Sequence, residues 1–236
     1  LYNLNNRTYK IYNLSTAMVS IQWNPFSDYI QTPNARLESK IGYPKFYIQA
    51  TKTLPKTFKN DFDFTKIDLK STYEYKFLNG QKTNVILGFS YAFGDVPITH
   101  LYNNSPNSFN QDKILQRISL EKENNFETMY FNEFFTNSFT YLQLKHALKP
   151  FVFSKKFKPQ LVLVSRMGIG SLDKPEQHIG LTYKTLEKGY LESGFEFNKI
   201  IKGLGFTAFL RYGPNQLPNF EDNIAVRVSY NFDLGF

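Results

Sequence analysis

The stretch IDLKSTYEYKF, residues 67–77, decides how the chain folds. Its odd-numbered positions run from Ile67 to Phe77 and are apolar or aromatic except at Ser71. Its even-numbered positions are all polar: Asp68, Lys70, Thr72, Glu74 and Lys76. Because successive side chains of a β-strand point to opposite faces, this alternation predicts a strand with one apolar face and one polar face.

A turn signal and a second alternating run follow directly. Asn79-Gly80 is the dipeptide that most readily forms a type I′ turn between two antiparallel strands. From Val85 to Phe93 apolar residues again occupy every second position, opposite small and polar residues, with Ile86 as the exception. The two runs together predict a long β-hairpin.

The same period of two recurs elsewhere, and no helical period of comparable length accompanies it. Clear alternation predicts strands at 17–24, 204–212 and 223–236. Weaker patterns predict strands at 35–42, 45–54, 113–121, 127–134, 137–147, 159–168 and 190–198. With the hairpin, about twelve strands are expected, and residues 1–13 leave room for one more. The chain is therefore predicted to be all-β.

Composition helps to separate the two architectures that share this period. Aromatic residues make up 17% of the chain, yet the mean hydropathy is −0.40. A soluble sandwich buries its apolar face, whereas a transmembrane barrel turns that face to lipid and lines its lumen with the polar one. Aromatic residues near the strand ends, and strands long enough to cross a bilayer at a tilt, favour an antiparallel transmembrane β-barrel over the sandwich.

Composition also excludes several classes of protein. No apolar run approaches the roughly 20 residues that a membrane-spanning helix needs, which excludes a polyhelical membrane protein. The chain has no cysteine, which excludes a disulfide scaffold and a thiolate metal site. A net charge of +8 permits an anionic partner without identifying one. The first residues show no initiator Met and no secretory leader, so we expect residues 1–236 to be a mature form or a fragment, and the length predicts a single domain.

Connection lengths predict the orientation of such a barrel, because outer-membrane barrels have short periplasmic turns and longer external loops. If the last strand runs inward, the external connections are 213–222, 169–189, 135–136, 94–112, 55–61 and 25–34. The periplasmic connections are 199–203, 148–158, 122–126, 79–80 and 43–44. Most of the long segments fall outside. The short 135–136 and the long 148–158 are exceptions.

The C-terminal residues resemble a known signal. Apolar residues occupy every second position up to a terminal aromatic one: Val228, Tyr230, Phe232, Leu234 and Phe236. This pattern is similar to the C-terminal insertion signal of bacterial outer-membrane barrels. The resemblance implies that the barrel-assembly machinery reads these residues during insertion. The alternative is an ordinary last strand that ends in Phe.

A second resemblance rests on short phrases in a fixed order: GYP at 42–44, DFTK at 63–66, LNGQ at 78–81, FGDVP at 93–97, FNEF at 131–134 and LPNFEDN at 217–223. They resemble the C-terminal barrel of an uncharacterised Bacteroidota outer-membrane family, in which a carboxypeptidase-regulatory-like domain precedes the barrel. That barrel is distantly similar to the surface-antigen superfamily of BamA and TamA relatives. The resemblance implies that residues 1–236 are a single barrel domain, a fragment that lacks the N-terminal periplasmic domain. It also implies sixteen strands, so either the expected twelve are the C-terminal part of a larger barrel, or this barrel is smaller than that kinship implies.

Candidates for chemistry are few. His100 and His178 fall in predicted external loops, where a catalytic base of an outer-membrane lipase or protease would lie, but nothing in the sequence fixes their spacing. His146 ends a predicted strand and is expected at the membrane interface. Asn60, Asp61 and Asp63 are a poor calcium loop, because Phe62 intervenes and no Glu closes the set. We therefore expect no enzyme activity, no catalytic residue, no metal and no cofactor.

One basic run remains, Lys155-Lys156-Phe157-Lys158. It is interpreted as a solvated turn at the membrane edge, with the lysines extended towards water, and a lipid-headgroup or nucleic-acid site is the lesser alternative. No nucleic-acid partner is expected.

The resemblance favours a non-enzymatic component of outer-membrane protein biogenesis or translocation in a Gram-negative bacterium, with a lateral gate between its first and last strands. The alternatives are a closed barrel that serves as an anchor or scaffold, a small porin and, less favoured, a lipase or protease. The expected partners are outer-membrane lipids including lipopolysaccharide, the barrel-assembly machinery, and protein partners in a membrane complex.

Overall fold

In the computed structural model the described residues are 2–4, 7–9, 11–54, 60–108, 119–120, 125–154, 157–180, 182–201 and 204–230. They fold as an all-β protein whose only helical pieces are three short 3₁₀ turns. Sixteen strands are present: β1 (Tyr2–Leu4), β2 (Arg7–Tyr9), β3 (Thr16–Trp23), β4 (Asp28–Gln31), β5 (Arg36–Lys40), β6 (Lys45–Thr53), β7 (Phe64–Lys76), β8 (Lys82–Gly94), β9 (Pro106–Ser108), β10 (Ser119–Leu120), β11 (Phe126–Tyr130), β12 (Ser138–Ala147), β13 (Gln160–Ser171), β14 (Tyr190–Ile201), β15 (Leu204–Tyr212) and β16 (Ile224–Tyr230). Within these residues no helix is long and apolar enough to span a membrane.

Nine of these strands form one antiparallel sheet in the order β16-β15-β14-β13-β12-β8-β7-β6-β3. The predicted hairpin is confirmed: β7 and β8 pair from Phe64↔Gly94 to Lys76↔Lys82. The predicted two-residue type I′ turn is wrong, because the Phe77 N–H bonds to the Gln81 carbonyl around a three-residue loop in which Gly80, with a φ of 85°, has a positive φ and Asn79 does not. At one end of the sheet β10 adds a two-residue parallel pairing to β16. At the other end β3 pairs only with β6 among the described strands. The described residues thus form an open sheet, and no closed barrel is detected.

The two faces of this sheet are unlike. On what we call the outer face, many of the alternate apolar residues from β7 to β15 are 37–55% exposed, for example Leu87, Leu163 and Ile169, and the others are partly exposed. On the opposite, inner face, polar and charged residues such as Arg166 and Glu192 are almost completely buried. This is the reverse of a soluble sandwich, whose apolar face is covered and whose polar face meets water.

The inner face is buried because a long insert lies against it. Strands β8 and β12 are direct neighbours in the sheet, from Tyr91↔Ser138 to Lys82↔Ala147. The chain between them, residues 95–137, is what we call the insert. It contains β9 and β11, which pair in parallel with each other. Apolar residues of the insert pack with those of the sheet and of the connection 172–189 in two clusters: Phe62, Phe64, Ala92, Val96, Leu101, Phe135 and Leu172, and Phe126, Met129, Phe134, Phe139, Leu186 and Tyr190.

The expectation of about twelve sheet strands is wrong at 127–134 and at 35–42, whereas the described part of 113–121 does pair with the sheet. The segment 127–134 falls on β11, within the insert, where it pairs with β9 and not with the sheet. Of the predicted strand 113–121, only residues 119 and 120 lie among the described residues, as β10. The segment 35–42 forms β5, which pairs with β4 in a separate two-stranded hairpin. Alternation marks a strand with two unlike faces but does not say which strand it pairs with.

The predicted assignment of connections to the two ends is partly corrected. Because β3 and β6 are antiparallel neighbours, the whole connection 24–44 lies at the same end of the sheet as the turns 77–81, 148–159 and 202–203. Residues 25–34 were expected at the opposite end. Residues 135–136 are not a separate external turn but the last part of the insert. The connections 54–63, 172–189 and 213–223 share the other end with the insert, as expected.

Candidate functional site: the polar inner face

A transverse row of polar side chains crosses four neighbouring strands of the inner face. The register places Gln143 on β12 beside Arg166 on β13, Arg166 beside Glu192 on β14, and Glu192 beside Arg211 on β15. All four side chains are at most 2% exposed. They lie in one row because each strand contributes the residue at the same level of the ladder.

Glu192 is the centre of this row. Its carboxylate accepts a hydrogen bond from Arg166 Nη1 at 2.8 Å, and Arg166 Nε donates to Gln143 Oε1 at 2.7 Å. The same carboxylate accepts the backbone N–H groups of Glu127 and Thr128, each at 3.0 Å, and the Thr128 hydroxyl at 2.7 Å. The Glu192 carboxylate therefore binds both an arginine of the sheet and the backbone of the insert.

Arg227 on β16 makes the second link between the sheet and the insert. Its Nε lies 3.2 Å from Glu127 Oε2, and its Nη2 donates to the Glu127 carbonyl oxygen at 2.6 Å and to Ser108 Oγ at 2.7 Å. Asn107 Nδ2 donates to the same Glu127 carboxylate at 2.5 Å. Glu127 and Arg227 are both 0% exposed. This guanidinium therefore ties two strands of the insert, β9 and β11, to the last described strand of the sheet.

A third link lies nearer the end of the sheet. Arg211 Nη1 and Nη2 donate to the two carboxylate oxygens of Glu133 at 3.0 and 2.7 Å, which is the bidentate geometry that favours arginine over lysine. The guanidinium also lies over the ring of Tyr190, 4.8 Å from its centroid, and 5.6 Å from that of Phe134. Glu133 belongs to the turn that follows β11, so the insert is fixed on both sides of that strand.

Because of these links, undocking the insert from the sheet costs free energy. Three arginines of the sheet form buried ion pairs with two glutamates of the insert and with Glu192. Removing one partner of a buried pair leaves the other charge uncompensated, at a cost of about 3–5 kcal/mol. The arrangement acts as a polar latch that holds the described segments of the insert around β9 and β11 against the inner face. We call it the latch.

The two candidate catalytic histidines lie at the end of the sheet that carries the insert. Thr99 Oγ1 is the hydrogen-bond partner of His100 Nδ1, at 3.0 Å, and the Phe64 ring packs against the imidazole. Burial, followed by the nearby Lys66 charge, lowers the pKa of His100. A hydroxyl partner and an aromatic neighbour position the ring but supply no carboxylate to orient a catalytic base.

His178 borders a cavity of about 100 Å³ together with Val96, Leu101 and Asp173. Burial lowers the pKa of its imidazole to about 4, against the opposing effect of the Glu176 carboxylate. The ring is therefore neutral at pH 7. The sequence-based prediction that the chain is not an enzyme stays a prediction.

The remaining sequence candidates have local partners. His146 on β12 shares a 2.8 Å hydrogen bond between its Nδ1 and Thr83 Oγ1. Asn60 bonds the backbone of Ser15, and Asp63 accepts hydrogen bonds from Lys52 and Thr53. Across the described ranges, no cluster of three His, Asp or Glu side chains is arranged to hold a metal ion.

The C-terminal signal is only partly described. Val228 lies on β16 with 40% of its surface exposed, and Tyr230 is the last residue of that strand. Phe232, Leu234 and Phe236 lie outside the described residues. Their role as an insertion signal stays a prediction.

Sequence reasoning missed the latch and the insert. A weak signal was available: Gly94–Asn137 breaks the regular spacing of hairpins, and Glu127 and Glu133 interrupt segments that are otherwise rich in aromatic residues. Comparisons of the chain with protein-family models and with curated proteins find no match. The evidence for its class is therefore the sheet itself: nine antiparallel strands with an exposed apolar face and a buried, charged inner face that is latched to an insert.

Proposed function

We propose that the chain forms the wall of an outer-membrane β-barrel of a Gram-negative bacterium, with the insert as an internal plug. The observation that carries this proposal is the inverted burial of the two faces. Soluble proteins rarely expose apolar patches beyond a few hundred Å², whereas here the apolar residues of consecutive strands form one exposed face. Lipid is the solvent that suits such a face, and a polar interior suits the other.

The open ends of the sheet agree with this proposal. In the described part of the chain β3 has no strand on its far side, and all eight of its residues are exposed. An exposed strand edge presents unpaired backbone groups, which cannot be left in hydrocarbon. In the membrane the edge of β3 must therefore be paired, either with the opposite edge of the sheet when it closes or with further strands, as in the larger barrel that the sequence resemblance implies.

For this wall we propose a role in outer-membrane protein biogenesis or translocation, together with the assembly machinery and other protein partners. The latch supports a regulated barrel over a simple pore, because the insert occupies the inner face and its displacement breaks several buried ion pairs. The same occupied face favours a second candidate, a closed barrel that anchors or supports a partner.

Insertion is tested by refolding the chain into phospholipid vesicles. The expected results are electrophoretic mobility that changes on heating in mild SDS, and strands that resist protease. A chain that stays in the aqueous phase with all its strands cleaved contradicts the proposed wall. A variant in which a short Gly- and Asn-rich turn replaces residues 96–135 provides the matched comparison, since β8 and β12 are already paired. We expect this variant to insert and to conduct ions, and the intact chain to remain closed.

The biogenesis role is tested by folding a second outer-membrane barrel into the same vesicles. Vesicles that contain the chain are expected to accelerate folding of this client relative to vesicles that contain an unrelated closed barrel. Equal rates favour the anchor candidate and contradict a role in biogenesis.

A further inference from the structure

The end of the sheet opposite the insert has a chemistry of its own. Three neighbouring hairpins end there, with turns at 77–81, 148–159 and 202–203. We call this end the short-turn rim. Its exposed lysines include Lys76, Lys82, Lys149, Lys158 and Lys199. In sequence, the three turns with their flanking residues (76–82, 145–159 and 199–203) contain nine lysines and no acidic residue. The connection 24–44 at the same end contains two basic and two acidic residues, so it adds no net charge.

The connection 148–159 forms the most exposed part of the short-turn rim. Phe151 and Phe153 are 43% and 70% exposed, and the Phe153 ring stacks on Phe157 at a centroid distance of 5.4 Å. The Phe157 carbonyl accepts the N–H groups of Phe153 and Ser154 at 3.2 Å each, which holds Phe157 beside Phe153. Exposed rings held together by a closed turn are a preformed apolar tip, with little side-chain entropy left to lose on binding.

Charge surrounds this tip without a compensating acid. From residue 145 to residue 158 the sequence contains five lysines and no Asp or Glu. Glu196 pairs with Lys145, the lysine that belongs to the strand. Lys149 and Lys158, which flank the aromatic tip, are both exposed. Two further lysines of the sequence, Lys155 and Lys156, lie outside the described residues.

Aromatic residues continue along the short-turn rim on the neighbouring hairpin. Tyr73, Tyr75 and Phe77 on and beside β7 are 39–51% exposed, and the Phe77 ring lies 6.1 Å from that of His146 on β12. Rings with an apolar body and a polarisable edge favour the boundary between hydrocarbon and water, and lysines above them reach the headgroups. This rim therefore combines an interfacial aromatic belt with positive charge.

We propose that the short-turn rim binds anionic glycerophospholipid headgroups, with Lys149 and Lys158 on the phosphate and the ring cluster of 151–157 at the level of the glycerol. This inference rests on the proposed membrane wall but not on a role in biogenesis. The partner must be an anion because the tip carries positive charge only, and it must lie at a bilayer surface because the tip continues the exposed apolar outer face. Each basic residue near an anionic surface contributes measurably to the affinity, and salt screens the effect.

The test uses the full chain folded in a non-ionic detergent and titrated with dioctanoyl phosphatidylglycerol, with binding measured by native mass spectrometry. Wild type is expected to bind phosphatidylglycerol in preference to phosphatidylcholine. Lys149→Gln/Lys158→Gln is expected to weaken that binding roughly thirtyfold at low salt. The matched control Lys174→Gln/Lys188→Gln removes the same charge at the opposite end and is expected to leave binding unchanged.

A second variant separates the rings from the charge. Phe151→Ser/Phe153→Ser keeps the lysines and is expected to bind phosphatidylglycerol more weakly than wild type. The inference is overturned if phosphatidylcholine binds equally well or if the control variant loses as much affinity. It is also overturned if lipid A is preferred, with its binding lost only in the control variant.

The vesicle refolding described above distinguishes failure of this inference from failure of the wall. A chain that does not insert overturns both the wall and its lipid-binding rim. A chain that inserts but shows no preference for phosphatidylglycerol overturns the rim alone. If Lys149→Gln/Lys158→Gln does not fold, Phe153→Cys carries the test, since the protein has no native cysteine. An environment-sensitive dye at position 153 is expected to shift to the blue when phosphatidylglycerol replaces phosphatidylcholine, and an unchanged spectrum overturns the inference.

Discussion

The latch predicts a specific defect when Arg227 is replaced by methionine. The guanidinium is 0% exposed and makes three contacts of 2.6–3.2 Å with Glu127 and Ser108. Methionine keeps much of the apolar volume but removes the charge, so Glu127 keeps only the Asn107 amide close by, with Arg166 Nη1 4.0 Å away. Breaking a buried pair on one side costs about 3–5 kcal/mol.

That free energy concerns the docking of the insert and not the sheet alone. A loss of about 3 kcal/mol lowers the ratio of docked to undocked insert by more than about a hundredfold. We therefore expect protease to cut Arg227→Met within the insert far faster than wild type, while heat-modifiable mobility persists. The assay is limited proteolysis of refolded protein in vesicles, followed by mass mapping of the fragments.

Two further variants make this prediction refutable. Glu127→Gln/Arg227→Met removes both charges and is expected to recover part of the lost protection, because no uncompensated carboxylate remains. Lys188→Gln changes an exposed charge and is expected to behave as wild type. If Arg227→Met is cut no faster than Lys188→Gln, the buried pair does not hold the insert, and the reasoning is wrong.

Three other predictions follow from single residues. His178 has a pKa of about 4 in the folded chain and an ordinary value of 6.5 in the unfolded chain. Its contribution to the free energy of unfolding is therefore fully present above pH 6.5 and decreases by up to about 3 kcal/mol as the pH falls to 4, because the unfolded chain takes up the proton first. His178→Phe should flatten that part of the stability profile, and an unchanged slope contradicts the assignment. Trp23, the only tryptophan, is 59% exposed on β3, so brominated acyl chains should quench its fluorescence after insertion, whereas quenching equal to that of the unfolded chain contradicts a lipid-facing β3. A methyl group at Gly194 would overlap the Ala208 carbonyl oxygen, so Gly194→Ala should lower the free energy of unfolding by about 1–3 kcal/mol in denaturant titrations, with exposed Ser20→Ala as a control that should not.

The alternation of apolar and polar residues predicted most of the strands of the sheet. Alternation from Ile67 to Phe93 predicted β7 and β8, and Asn79-Gly80 marked the turn between them, although the loop has three residues and the register is one position away from that of a two-residue turn. The polar face of the later strands was also predicted as interior, and Arg166 and Glu192 are buried there. These successes share a cause: local chemistry determines them.

The insert could not be predicted in the same way. The segment 127–134 alternates weakly and has the composition of a strand, so sequence pattern gave no reason to separate it from the sheet. What places it inside is the pairing of β8 with β12 and the match of Glu127 with Arg227, residues that are 100 positions apart. Contacts over such distances depend on which strands become neighbours, and a single sequence does not record that. For the same reason β5 was counted as a wall strand.

The pairing of β8 with β12 also has a consequence for the order of folding. Every other neighbouring pair from β6 to β16 joins strands that are consecutive within the sheet and linked by shorter connections, whereas this seam must enclose residues 95–137. Loop closure costs more entropy as the enclosed chain grows longer, and non-local pairing slows folding. We therefore expect two blocks of hairpins, β3–β8 and β12–β16, to form first and to join last along one seam. The arginines of the second block would then lose their water only when the insert docks on the inner face.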